Sequence, residues 1–127
     1  LPDRGLVDLP DRLAAEDLTS VKKVLFVCGR NQLRSPTAEQ LFASRDDIEV
    51  ASAGLDAKCG NPVTPELLAW ADLVFVMERA HRTRLSRAFR SSLKTARVIC
   101  LDIPDDYDFM DPALIRLLEA RVTRRLP

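Results

Sequence analysis

Cys28 and Arg34 stand at the two ends of a short polar segment, and Ser35 follows directly, which gives the spacing C-x5-R-S. The segment comes after the apolar run at residues 24–27 and before a helical pattern that opens at Ser35. Loop N–H groups and the positive end of a helix dipole meet at such a place and bind anions. The positive electrostatic field of these groups, together with the Arg34 guanidinium, favours the thiolate form of Cys28. We therefore predict a loop that binds a phosphate dianion and aims a nucleophile at its phosphorus.

Two other kinds of phosphate-binding loop are excluded by what this segment lacks. The chain contains neither G-x-x-x-x-G-K-[ST] nor G-x-G-x-x-G, so nucleotide binding has little support. A free cysteine in isolation is most often a small buried hydrophobe. The arginine and serine in register with Cys28 favour the reactive interpretation instead.

Composition indicates a single ordinary globular domain. The 127 residues are 46% hydrophobic and 30% charged, and nineteen basic side chains balance nineteen acidic ones. Net charge therefore gives no hint of a polyanionic partner, and nucleic acid is not expected. Three widely spaced cysteines and one histidine argue against a zinc site or a disulfide scaffold and favour a reducing cytoplasm. We predict no metal, no cofactor and no membrane segment.

Hydrophobic periodicity predicts strands and helices in alternation after residue 20. Strands are expected at residues 21–27, 48–52, 73–77 and 97–101, with helices at 35–44, 64–70 and 79–89 and a last one from 111. This order predicts an α/β fold, a doubly wound four-stranded parallel sheet with helices on both faces. Residues 21–127 form the single domain, and residues 1–20 are interpreted as an appendage, processed or added. Three residues that precede a proline are predicted helix N-caps: Ser35, Thr64 and Asp111.

Ligand sites in such sheets lie at the carboxyl ends of the strands. Cys28 follows the first strand, and the acidic loop at residues 102–108 follows the fourth, so both belong to that edge. The arginines between residues 79 and 90 are interpreted as a solvated face. The alternative is a docking surface for an acidic protein or an RNA backbone.

At this point a family resemblance is plain. Residues 27–39, V-C-G-R-N-Q-L-R-S-P-T-A-E, resemble the phosphate-binding loop of the low-molecular-weight protein tyrosine phosphatases, V-C-x-G-N-x-C-R-S-P followed by a helix with the same A-E pair. S-A-G at 52–54, A-D-L-V-F-V-M-E at 71–78 and I-P-D-D-Y at 103–107 agree with later motifs. The resemblance covers about residues 22–124 and indicates a short, divergent, bacterial-type member. It implies metal-independent hydrolysis through a phosphocysteine.

The resemblance also implies roles for the loop residues. Cys28 attacks phosphorus, Arg34 binds the equatorial oxygens, and Ser35 donates to the sulfur as it departs. Asn31 braces the loop in a left-handed conformation, which asparagine tolerates, and Ser52 is expected to hold it. The segment expected to bind the substrate phosphate comprises Gly29, Arg30, Asn31, Gln32, Leu33, Arg34 and Ser35.

The general acid is one of several aspartates. Ungapped placement of the last helix puts Asp105 on the family's acid, Asp106 in place of its proline and Tyr107 on the aromatic rim of the site. Asp106 and Asp111 remain alternatives to Asp105.

Three departures from the family pattern concern redox protection of the nucleophile and the choice of substrate. Leu33 stands where many members have a second cysteine. Gly29-Arg30 reverses the usual order of a residue with a side chain followed by glycine. Residues 55–57 hold no aromatic residue to form a wall of the site. Phosphatase chemistry is therefore better founded than phosphotyrosine specificity. We expect a tyrosine phosphatase that acts on a phosphotyrosine protein or a small aryl phosphate.

Two other functions stay open. One is a thiol-dependent arsenate reductase, which would need Cys59 or Cys100 to resolve its intermediate. The other is a non-catalytic phosphate-binding regulatory module on the same fold.

Overall fold

The computed structural model describes residues 21–93 and 97–126. The proposed appendage at residues 1–20 lies outside the described residues. The elements in chain order are β1 (Lys22–Cys28), α1 (Arg34–Phe42), β2 (Ile48–Gly54), α2 (Pro65–Trp70), β3 (Leu73–Val76), α3 (Arg79–Ala88), β4 (Arg97–Cys100) and α4 (Pro112–Val122). Short 3-10 turns follow α3 at Arg90–Leu93 and α4 at Thr123–Arg125. The predicted alternation of strands and helices is confirmed. In these described ranges no helix is long and apolar enough to cross a bilayer.

The four strands form one parallel sheet in the order β2-β1-β3-β4. The first strand is central, with Cys28 paired to Gly54 of β2 and Val27 paired to Val76 of β3. Because all strands run the same way, the loops after β1, β3 and β4 emerge at one edge. The doubly wound parallel sheet predicted from the sequence is confirmed.

Burial of β1 on both faces explains its unbroken apolar run. Its odd and even residues belong to two different hydrophobic cores, because successive side chains of a strand point to opposite faces. Val24 and Phe26 pack with residues of α1 and α4, and the Phe26 ring stacks 5.9 Å from that of Phe42. Leu25 and Val27 pack with residues of α2 and α3. The helices therefore cover both faces of the sheet, as predicted.

Two of the three predicted helix caps are confirmed. The Thr64 hydroxyl accepts from the N–H of Leu67 at 3.1 Å, and the Asp111 carboxylate accepts from the N–H of Ala113 at 2.9 Å. The Ser35 cap is wrong, because α1 begins at Arg34 and Ser35 lies inside its first turn. The Ser35 hydroxyl is committed to side chains of the preceding loop rather than to the helix backbone.

Candidate active site

The Cys28 thiol lies at the carboxyl end of β1 and is surrounded by donors of the next loop. Its side chain is 3% exposed. The N–H of Asn31 donates to Cys28 Sγ at 3.2 Å, and the Ser35 hydroxyl oxygen lies 2.9 Å from the same sulfur. Asn31 has φ of 59°, the left-handed conformation predicted from the sequence. This arrangement stabilises negative charge on the sulfur, since two polar hydrogens can point at it.

Arg34 is held in place by residues that follow β3 and β4 rather than by its own loop. Its side chain is nearly buried, and Nη1 donates to Glu78 Oε2 at 2.5 Å and to the carbonyl of Ile103 at 2.8 Å. Nη1 carries two hydrogens, so these partners use both of them. Nε and Nη2 remain as the donors for a ligand, in the planar fork that suits two phosphate oxygens.

One cavity of about 450 Å³ joins the thiol, the guanidinium and a carboxylate. It is lined by Cys28, Gly29, Arg30, Gln32, Leu33, Arg34, Glu78, His81 and Asp105. All but two of these residues were predicted site residues. Asn31 and Ser35, also predicted, do not line the cavity; they lie behind the sulfur and act on it through hydrogen bonds.

The three candidate acids occupy different surroundings. Asp105 lines the cavity with a largely exposed carboxylate, and its Oδ1 lies 3.7 Å from Arg34 Nε. Asp106 is exposed and does not line the cavity. Asp111 caps α4. Of the three candidates, Asp105 alone therefore lies in the cavity and beside the Arg34 guanidinium.

Tyr107, predicted on the rim, is half-buried and packs against the core that contains Phe26 and Leu114. It is not among the residues that line the cavity, and no other Phe, Tyr or Trp of the described residues lines it either. Leu55 packs partly against the second core. Arg30 is exposed on the cavity wall, where the sequence placed it.

Glu78 and His81 are site residues that the sequence reasoning missed. His81 is 7% exposed, and its Nδ1 accepts the N–H of Glu78 at 3.2 Å, so the neutral ring carries its proton on Nε2. Burial, and then the nearby Arg34 charge, lower the pKa of His81 and keep it neutral. The spacing E-x-x-H directly after a strand, at the active edge, was the available signal.

The contacts of Ser52, near the end of β2, differ from those predicted from the sequence. Ser52 does not hold Asn31, as predicted; its hydroxyl donates to Glu39, and its carbonyl accepts from the amide of Asn61. The loop is instead seated on Gly54. A Cβ at Gly54 would lie 2.8 Å from the carbonyl carbon of Arg30 and 2.8 Å from Cys59 Sγ. The absent side chain of Gly54 thus allows the loop backbone to approach β2.

A comparison with protein families supports the predicted resemblance. Residues 23–70 match the family described as low molecular weight phosphotyrosine protein phosphatase. That range contains β1, the Cys28 loop, α1, β2 and α2. A comparison with curated proteins found no match.

Solved structures share the fold over most of both chains. YwlE arginine phosphatase from Geobacillus stearothermophilus is 22% identical with a TM-score of 0.67, covering 82% of this chain and 90% of that one. The tyrosine phosphatase Wzb from Escherichia coli K30, in complex with phosphate, is 24% identical with a TM-score of 0.62, covering 82% and 95%. The low molecular weight protein tyrosine phosphatase SP-PTP from Streptococcus pyogenes is 18% identical with a TM-score of 0.68, covering 84% and 94%. The family match confirms the predicted resemblance over residues 23–70, and the solved structures show the same fold over most of the chain.

Proposed function

We propose that this chain, a cysteine-dependent phosphatase of the low molecular weight phosphotyrosine protein phosphatase family, hydrolyses phosphotyrosine in proteins through a phosphocysteine on Cys28. The observation that carries the proposal is the convergence of Cys28, Arg34 and Asp105 on one cavity. A nucleophile, an oxyanion clamp and an acid are the groups that phosphoryl transfer to sulfur requires. Small aryl phosphates fit the same chemistry. Free thiols at all three described cysteines suit the reducing cytoplasm in which we place the enzyme.

In the first step the Cys28 thiolate attacks phosphorus in line with the leaving oxygen. Arg34 Nε and Nη2, together with loop N–H groups, bind the equatorial oxygens, where charge is spread in the transition state. Asp105, in its protonated form, gives its proton to the leaving oxygen. The P–O bond breaks as the P–S bond forms, and the alcohol departs.

In the second step Asp105, now a carboxylate, takes a proton from a water molecule as that water attacks the phosphocysteine. The P–S bond breaks, and its electron pair returns to Cys28 Sγ. The Asn31 N–H, at 3.2 Å, and the Ser35 hydroxyl, at 2.9 Å, stabilise the sulfur as it regains its charge. Inorganic phosphate is released, and the enzyme returns to its starting state.

Phosphoarginine is the second candidate substrate, and a specific feature of the cavity favours it. In the described part of the chain no Phe, Tyr or Trp side chain lines the cavity, whereas the carboxylates of Asp105 and Glu78 do. The Asp105 carboxylate is largely exposed, and Glu78 keeps Oε1 beside the Oε2 that pairs with Arg34. A carboxylate pairs with a guanidinium group through two parallel hydrogen bonds. A neighbour of the same fold is an arginine phosphatase by name.

The test is a metal-free assay, with a chelator present, on one peptide sequence that carries phosphotyrosine, phosphoarginine or phosphoserine. We expect the highest kcat/KM on phosphotyrosine, inhibition by vanadate, and complete loss of turnover in Cys28→Ser but not in the control Cys59→Ser. Activity in Cys28→Ser would refute the phosphocysteine mechanism. Higher kcat/KM on phosphoarginine would reassign the substrate.

The same preparation separates the two remaining alternatives. Thiol-dependent arsenate reduction that is lost in a Cys59→Ser, Cys100→Ser double variant would indicate a reductase. Tight vanadate binding without turnover of any phosphoester would indicate a non-catalytic module.

A further inference from the structure

A groove rich in arginine runs along α3 and the outer edge of β4. The groove consists of two adjoining cavities of about 710 and 620 Å³, and both are lined by Arg82 and Thr83. The first follows α3 toward its end, and the second crosses β4 toward the turn after α4. We call this surface the arginine groove; its cations are Arg79, Arg82, Arg87, Arg90, Arg97 and Arg125.

Positive charge in the arginine groove is largely uncompensated. Asp102 is the one acidic residue that lines it in the described part of the chain, and it pairs with Arg79 at 3.5 Å. Arg82 donates to the carbonyl of Val98. The other four cations are exposed, and their guanidinium groups make no hydrogen bond or ion pair to the described residues: Arg87, Arg90, Arg97 and Arg125. A ligand that fits this surface carries several negative charges.

The edge of the sheet gives the groove a preference for an extended chain. The described strand β4 pairs with β3 on one side, and the strand order leaves its other side at the edge of the sheet. An edge strand offers N–H and C=O groups to a second extended polypeptide. In β4 the Val98 carbonyl already accepts from Arg82 of the groove. Guanidinium groups beside that edge suit carboxylate side chains, which they bind through two parallel hydrogen bonds.

The arginine groove is continuous with the active-site cavity. A smaller cavity of about 340 Å³ is lined by Glu78, which also lines the active site, and by Arg79 and Asp102, which also line the groove. A polypeptide whose phosphorylated residue enters the active site can therefore lay its neighbouring residues along β4.

We propose that the arginine groove docks an acidic segment adjacent to the phosphorylated residue of a protein substrate. The inference rests on the proposed function, because it names the class of protein that the active site dephosphorylates. RNA fits less well than an acidic polypeptide. Among the described residues no aromatic side chain lines the groove. Aromatic stacking is a main source of affinity for single-stranded nucleic acid.

The test compares phosphotyrosine peptides that carry a run of glutamates or a run of glutamines on either side of the phosphorylated residue. We expect a lower KM for the glutamate peptide on one side, and loss of that advantage at high salt. Arg97→Glu with Arg125→Glu should raise that KM roughly tenfold, as the loss of several exposed ion pairs predicts. Hydrolysis of para-nitrophenyl phosphate should not change in this variant.

Arg116→Glu provides the matched control, since Arg116 is an exposed arginine of α4 that lines neither the groove nor the active site. Each Arg→Glu substitution changes the net charge by two, so Arg116→Glu is compared with Arg97→Glu alone and with Arg125→Glu alone. Arg116→Glu should leave the glutamate preference intact. Equal KM values for the glutamate and glutamine peptides would overturn the docking proposal while para-nitrophenyl phosphate hydrolysis still upheld the proposed function.

A binding assay can uphold the docking proposal even where the proposed phosphatase function fails. Fluorescence anisotropy with an unphosphorylated glutamate-rich peptide measures docking without chemistry. Salt-sensitive binding that Arg97→Glu with Arg125→Glu abolishes supports the groove even if no phosphoester is hydrolysed, in which case the proposed function fails. Tighter binding of a single-stranded RNA than of this peptide would overturn the proposal of an acidic polypeptide partner.

Discussion

The Ser35 hydroxyl oxygen lies 2.9 Å from Cys28 Sγ and 2.9 Å from Asn31 Oδ1, although it has one proton to donate. When Cys28 is a thiol, its S–H can donate to Ser35, which donates to Asn31. When Cys28 is a thiolate, the sulfur can only accept, so the Ser35 proton turns toward it. The hydroxyl oxygen can then accept from Asn31 once the Asn31 amide turns its NH2 group to the place of Oδ1. The position of this proton therefore depends on the charge of the sulfur.

Replacement of Ser35 by alanine should slow the second chemical step more than the first. The variant loses a hydrogen bond to the departing thiolate, and hydrogen bonds to charged groups contribute roughly 1.5–3 kcal/mol, or about ten- to a hundredfold in rate. Rapid-quench experiments should show phosphoenzyme accumulating in Ser35→Ala. Ser35→Thr, which keeps the hydroxyl, should accumulate less. An unchanged phosphoenzyme level in Ser35→Ala would contradict the role.

Asp105→Asn should slow hydrolysis of phenyl phosphate far more than that of para-nitrophenyl phosphate. Phenolate is the poorer leaving group and needs the proton, whereas the nitrophenolate departs without it. A positioned general acid contributes roughly 10²–10⁴-fold. The ratio of the two kcat values measures the effect directly.

Asp106→Asn and Asp111→Ala are the controls for this assignment. Asp106→Asn should leave the ratio unchanged. Asp111→Ala removes the cap of α4 and should cost about 1 kcal/mol of folding free energy, read by urea denaturation, without altering the ratio. A change of leaving-group dependence in either variant, rather than in Asp105→Asn, would move the acid to that residue.

The sheet and its helices were predictable because their signals are local. The apolar run of β1 and the proline after Thr64 or Asp111 each report on a few consecutive residues. Ser35-Pro36 carries the same local signal as the two true caps, yet Ser35 is not a cap. Its hydroxyl instead bonds to Cys28, the last residue of β1, and to Asn31 in the loop, which the cap pattern ignores.

Residues that join distant parts of the chain were harder to find. Glu78 follows β3, and only the pairing of β3 beside β1 brings its carboxylate within 2.5 Å of Arg34. Tyr107 shows the opposite failure, since a family motif predicted the rim while the structure turns the ring toward the core. A sequence motif gives the order of residues along a loop but not the direction of each side chain.

Gly54 and Gly29 form a matched pair for testing how the loop is seated. A Cβ at Gly54 would lie 2.8 Å from backbone of Arg30, whereas the nearest atom to a Cβ at Gly29 is His81 Nε2 at 3.9 Å. Gly54→Ala should therefore displace the loop and cost roughly 1–3 kcal/mol of folding free energy, as overpacking does. Gly29→Ala should change it by less than about 0.5 kcal/mol. Urea denaturation of both variants measures the two losses of folding free energy. Equal losses would contradict the role of Gly54 in seating the loop.

His81 is buried and neutral, which makes the stability of the fold sensitive to acid. Burial is the largest cause that lowers the pKa of His81 below its ordinary 6.5, and the charges of Arg34 and Arg84 act in the same direction. The carboxylates of Glu78 and Asp105 raise the pKa, but by less. A histidine in the unfolded chain thus binds a proton at a higher pH than folded His81 does. The unfolded state holds more protons in the interval between the two values, so the free energy of unfolding rises with pH there.

We expect the free energy of unfolding to be highest above pH 6.5 with respect to His81, and to fall as the pH drops from 6.5 through the lowered pKa of the folded state. His81→Gln removes this titration while keeping an acceptor for the N–H of Glu78, so the helix cap survives. The variant should lose less stability over that interval than the parent, measured by urea denaturation at a series of pH values. The difference between the two curves reports the contribution of His81. Parallel curves through the interval would show that His81 is not held neutral by its surroundings.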